Sequence, residues 1–86
     1  MATLHLLSNP RAAASCLQVA AGDDAVLFLG DGVFALTARR KSAVRVGVLR
    51  DDAVSRGVAL PDHVRPMSQA DFVDWVVQFE TSATWR

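Results

Sequence analysis

The sequence predicts an α/β protein with four or five strands, and three observations carry that reading. Short apolar runs alternate with helical patterns and turn signals at spacings typical of βα units. The run Ala25 to Leu29 is unbroken apolar sequence bounded by Asp and Gly, as expected of a central parallel strand covered on both faces. Val44, Val46 and Val48 place β-branched residues at every second position, the period of a strand.

The elements follow in order. Thr3 to Ser8 is the first strand, and it ends at Asn9-Pro10. Asn9 can cap a helix there, and Pro10 suits the first helical position because its missing N–H would be unpaired anyway. The helix should run to Ala21 and close at Gly22. After the strand Ala25 to Leu29, Gly30-Asp31-Gly32 turns the chain, with Gly32 needing glycine's freedom in φ. Val33 to about Arg40 reads as a short helix whose end carries Arg39, Arg40 and Lys41, where cations favour the dipole. Val44 to Leu49 is a strand, and Asp51 to Arg56 is one helical turn ended by Gly57. His63 to Met67 is a short strand that Pro66 confines to an edge. Ser68 to Phe79 is the best-marked helix: Ser68 with Asp71 resembles a capping box, and Phe72, Trp75, Val76 and Phe79 share one face from which Val77 points away. Ser82 to Trp85 supplies a fifth strand.

Composition narrows the function. A chain of 86 residues is one domain, 1–86, and buries only about 60% of the surface its unfolded form exposes. With one cysteine it has no internal disulfide, and its two histidines and Cys16 match no zinc spacing, so neither metal nor cofactor is expected. An apolar content of 51% then points to surface hidden against other subunits. Nine Lys+Arg balance nine Asp+Glu, which disfavours direct contact with nucleic acid or an anionic membrane. No signal-peptide pattern opens the chain and no apolar run approaches the ~20 residues that span a bilayer, so a cytoplasmic location is expected.

The opening LHLLSNP, then SCL, GDDAVLFLGDGVFAL, VLRDDAVSRGV, ADFVDWV and Trp85 resemble, in order and spacing, the DsrH/TusB family of sulfur-relay subunits. The most specific pieces are Gly22-Asp23, Ala25 to Leu29, Asp31-Gly32-Val33, and Asp51-Asp52 followed by Ser55-Arg56-Gly57. The resemblance implies a small three-layer fold of the DsrE-like type, with a parallel-rich sheet between helices. It further implies a heterohexamer with DsrE-like and DsrF-like (TusD/TusC-like) subunits, and passage of sulfur as a cysteine persulfide between donor and acceptor proteins. Cys16 within Ser15-Cys16-Leu17 sides with the cysteine-containing DsrH branch that serves sulfur oxidation, whereas the branch serving tRNA 2-thiouridine synthesis can lack it.

Cys16 is thus the candidate persulfide carrier. A lone thiol cannot close a disulfide within the chain, so any chemistry it has is that of a thiolate nucleophile. On a helix of ~100° per residue, Ala13, Leu17, Ala20 and Ala21 form the sheet-packing face, and Cys16 falls about a quarter-turn from it with Ala12 and Val19. The rival reading makes the chain a non-catalytic scaffold that completes the hexamer and shapes a sister subunit's site, with Cys16 filling space. A sulfur open to solvent or to a partner groove favours relay; one enclosed by Leu and Val favours scaffold. A small flavin- or nucleotide-binding domain is a weaker third reading, because Gly30-Asp31-Gly32 matches no dinucleotide or P-loop pattern and reads as a turn at a subunit contact. His5 reads as a packed strand histidine, Arg39-Arg40-Lys41 as a solvated basic run, and Asp51, Asp52 and Arg56 as caps of their own helical turn. Trp85 is expected to fold back on the sheet or to anchor on a neighbouring subunit.

Overall fold

A computed structural model describes residues 2–36 and 44–86. Five strands form one sheet: β1 (Thr3–Leu7), β2 (Ala25–Phe28), β3 (Arg45–Leu49), β4 (Arg65–Met67) and β5 (Thr81–Trp85). The order across it is β4-β3-β2-β1-β5, and every neighbouring pair is parallel. Among the described residues three α-helices flank it: α1 (Ala13–Val19), α2 (Arg50–Ser55) and α3 (Gln69–Gln78). The expected α/β class and flanked sheet of five strands are therefore present, and the parallel pairing is complete.

The residues that start each element do so for the expected reasons. The Asn9 side chain accepts the Arg11 N–H at 2.9 Å ahead of a 3-10 turn, Pro10–Ala12, that leads into α1. Ser68 and Asp71 make a reciprocal capping box at the start of α3, and the amide of Ser68 holds the Asp71 carboxyl below the usual carboxylate range. Gly57 stands at φ 67° after α2, where Gly57 N–H donates to the Val54 carbonyl and Val58 N–H to that of Ala53. This pair of bonds is a Schellman closure.

Two cores follow from strand alternation. On one face Leu7, Val26, Phe28, Val46 and Val48 pack with Ala13, Cys16, Leu17, Val33 and Ala53 from the helical layer. On the other, Leu4, Ala25, Leu27 and Met67 pack beneath Trp75 of α3 and Phe79 just after it. Gly47 makes room there: a Cβ at this position would press on the Met67 sulfur and the Trp75 ring. The Arg45 guanidinium sits 5.7 Å and 5.3 Å from the Trp75 and Phe79 ring centres, closing the end of this core with cation–π contacts.

Several expectations need correction. The first helix stops at Val19 and Ala20 is already extended, so Ala21 is solvent-exposed and takes no part in the buried face. Val76, expected on the packed face of α3, is 42% exposed, because α3 meets the sheet through Trp75, with Phe79 just beyond its end. Gly30-Asp31-Gly32 opens a 3-10 helix, Gly30–Ala35, in which Gly30 has the positive φ, 53°, and Gly32 does not. The remainder of the helix expected over Val33 to Arg40, with the basic run Arg39-Arg40-Lys41, lies outside the described residues. No helix among the described residues is long and apolar enough to cross a membrane.

Candidate functional site

Cys16 is the fourth residue of α1 and has no exposed surface. It belongs to the core that includes Leu7, Leu17, Val26, Phe28 and Val33. Cys16 is buried although it lies off the centre of the Ala13–Leu17 face, because it packs in the core that also holds Val33 of the 3-10 helix after β2. Burial pushes the thiol up to about 11. At neutral pH only on the order of one molecule in ten thousand would carry the thiolate, against a few per cent for a free cysteine.

The other conspicuous residues gather at the carboxyl ends of β1, β2 and β3. Asp52 Oδ2 accepts the Gly30 N–H at 2.7 Å, and Arg56 Nε donates to Asp31 Oδ1 at 3.0 Å. Arg56 caps its own helix as expected, its Nη1–H donating to the Asp52 carbonyl at 3.3 Å, and Asp52 and Arg56 also tie α2 to the turn after β2. The paired motifs GDG and RDD…SRG are two halves of one clamp, a relation invisible while each is read as a local signal. Gly32 N–H donates to the Leu29 carbonyl and Leu29 N–H to that of Leu7, which draws the same turn against β1.

Between β1 and β5 the sheet reverses its order, the place where open α/β sheets hold ligands. Here Ser8 closes it, its N–H and Oγ–H both donating to the Trp85 carbonyl at 3.0 and 3.2 Å. A hollow of about 410 Å³ lies instead beside β3 and β4, and its lining includes Val44, Arg45, Val46, His63, Pro66 and Trp75. Cys16 is not part of its lining.

His5 and Trp85, eighty residues apart, are joined. Trp85 Nε1–H donates to His5 Nδ1 at 3.1 Å, and His5 Nε2 meets Asp24 Oδ2 at 3.1 Å. An indole N–H can only donate, so His5 Nδ1 is the acceptor and the imidazole proton sits on Nε2, facing Asp24. His5 is 4% exposed and fully used, a packed strand histidine as its sequence context suggests. Trp85 folds back on the sheet. Trp85→Phe keeps the ring but leaves Nδ1 without a donor, and should cost about 1 kcal/mol in a urea titration; a variant as stable as the parent would show the bond to be idle.

The family comparison rests on the whole of this frame. A family model described as DsrH like protein matches residues 8–82, from the end of β1 into β5. The chain belongs to the DsrH-like family. Its fold is also that of the solution NMR structure of protein Tm0979 from Thermotoga maritima, with a TM-score of 0.74 over 91% of this chain and 94% of that one, at 21% identity. No curated protein matches the chain. The clamp and the Asp24–His5–Trp85 chain join residues far apart in sequence, so no local motif signals either.

Proposed function

We propose that this DsrH-like chain is a structural subunit of a sulfur-relay complex, one that completes an assembly with DsrE-like and DsrF-like subunits and does not itself carry sulfur. Family membership supports the relay context. The observation that carries the structural role is the state of Cys16: no exposed surface and a thiol raised to about 11. In persulfide transfer a thiolate attacks the outer sulfur of a donor persulfide, a new S–S bond forms, the old one breaks, and the donor thiolate leaves and takes up the proton. That attack needs an ionised sulfur and a clear line of approach. Cys16 has neither while α1 lies on the sheet. Exposed apolar side chains elsewhere, Val73 and Val77 on α3 and Phe34 and Val54 on the opposite layer, support subunit contacts on both faces.

The competing role, Cys16 as persulfide carrier, requires α1 to lift when a partner binds. One experiment separates the two. The assembled complex is mixed with a persulfidated donor protein, and each subunit is weighed by mass spectrometry. This chain is expected to gain no sulfur, and Cys16→Ala, chosen because serine would bury a hydroxyl among apolar groups, is expected to leave the transfer rate of the complex unchanged. Uptake of one sulfur by this subunit, abolished in Cys16→Ala, would establish the carrier role. N-ethylmaleimide gives a simpler check on the chain alone: it should label Cys16 only after denaturation.

A further inference from the structure

The two edges of the sheet are built differently. β4 spans three residues, Arg65-Pro66-Met67, and its proline and arginine are the usual guards against strand addition. β5 has five residues, TSATW, with neither charge nor proline, and its outer side carries no other element among the described residues. Its charges stand just outside the strand, Glu80 before it and Arg86 after it. Neither pairs with an opposite charge among the described residues.

The register of β5 on β1 decides which backbone groups are open. Trp85 lies opposite Leu7 and its carbonyl accepts the Ser8 N–H, so Trp85 faces β1. By alternation Thr81 and Ala83 also face β1, and the N–H and C=O groups of Ser82 and Thr84 point outward, together with those of the flanking Glu80 and Arg86. An antiparallel partner must oppose outward residues to outward residues. For a second β5, three registers satisfy this within the strand. The first places Ser82 opposite Ser82 and the second Thr84 opposite Thr84, and both leave a charge unmatched. The third centres on Ala83 and places Ser82 opposite Thr84 and Glu80 opposite Arg86, twice over by symmetry.

We infer that β5 is a self-pairing edge: two copies of this chain join their sheets antiparallel through Thr81–Trp85, with Glu80 of each opposite Arg86 of the other. The register pairs every outward backbone group of the strand. Ala83 lies on the two-fold axis at a non-hydrogen-bonded pair, where strands approach most closely and a small side chain fits. Ser82 and Thr84, both exposed, become cross-strand neighbours of a favourable type.

Sedimentation velocity over a concentration series tests this, with the full chain. A dimer is expected that weakens as salt is added, because the end pairs are exposed and screened. Glu80→Arg alone should weaken association about tenfold, since both symmetric pairs turn repulsive, and adding Arg86→Glu should restore it. Thr84→Pro removes an outward N–H without touching the bonds to β1, and should give a monomer with an unchanged melting temperature. Ala83→Cys should form a covalent dimer on air oxidation catalysed by copper phenanthroline, because the paired Cα atoms lie within disulfide reach, whereas Thr81→Cys, which faces Trp85 of the second copy, should not. A monomer at all concentrations would overturn the inference. So would a dimer that survives Thr84→Pro, or one that Val77→Lys on α3 abolishes.

Discussion

Gly32→Val is expected to leave this chain unfolded or unable to assemble. The reason is space. A Cβ at Gly32 would overlap the Leu7 carbonyl oxygen and stand 2.8 Å from its carbon and 3.2 Å from Ser8 Cα, all of it backbone that cannot swing aside. Leu7 is a fully buried residue of β1 whose carbonyl already accepts the Leu29 N–H at 3.1 Å, so yielding at this point breaks a bond and opens the core. Overpacking of this kind costs about 3 kcal/mol or more for valine. That is a large part of the ~5 kcal/mol at the low end of domain stability, where a chain this short belongs. Gly32→Ala carries the same clash with less bulk and should also destabilise clearly. Gly30→Ala is the control: Gly30 has φ 53° and open space around it, so alanine there costs only the ~1 kcal/mol of a left-handed backbone. Urea midpoints at constant slope give the order. If Gly32→Ala is no worse than Gly30→Ala, the close approach of this turn to β1 is not a constraint.

The same glycine shows what a sequence can and cannot disclose. Its presence in a turn was legible; its reason was not, because φ is a local property and the Leu7 carbonyl is brought there by β1. Signals that act within four residues were read correctly. Asn9 and Pro10 start the first helix, Ser68 and Asp71 start α3, and the alternation of Val44, Val46 and Val48 marks a strand with its valines on the buried side. Relations across the sheet were missed. Arg56 does cap its own helix, but nothing local shows that it and Asp52 also reach Asp31 and Gly30. The enclosure of Cys16 is likewise a product of the fold, since its cluster includes Leu7, Phe28 and Val33, which no helical periodicity within α1 can reveal.

The turn after β2 is held from two sides. Asp52 and Arg56 reach it from α2, and Gly32 lies against the Leu7 carbonyl of β1. Cys16 of α1 sits in the core beneath, beside Leu7 and Val33.

Asp24→Ala should be the most damaging removal of a polar side chain among the described residues. Asp24 Oδ1 accepts the Thr3 N–H at 2.8 Å, and Oδ2 accepts from His5 Nε2 at 3.1 Å and from the Ala21 N–H at 3.3 Å. One carboxylate therefore joins the start of β1, the loop before β2 and, through His5, the end of β5. Alanine leaves the His5 proton buried without an acceptor and cuts the tie to Trp85 at its root, a loss of about 2–3 kcal/mol. Asp24→Asn should rescue little. Neutral His5 offers one acceptor nitrogen, already taken by Trp85, so its other nitrogen must donate; the asparagine oxygen can meet either His5 or Thr3, and its amide then confronts the remaining donor. The acid limb gives an independent readout. Partial burial raises the Asp24 carboxyl, but the Thr3 amide, the His5 side chain and the Ala21 amide outweigh it and hold the group below the usual carboxylate range. A group depressed on folding contributes stability that is complete above its unfolded value near 4 and is lost as the pH falls through the lower folded value. Parent protein should thus lose stability below about pH 4, and Asp24→Ala, already weaker at neutral pH, should lose less over the same interval. Parallel pH profiles for the two, offset by a constant, would mean that Asp24 is not ionised in this network.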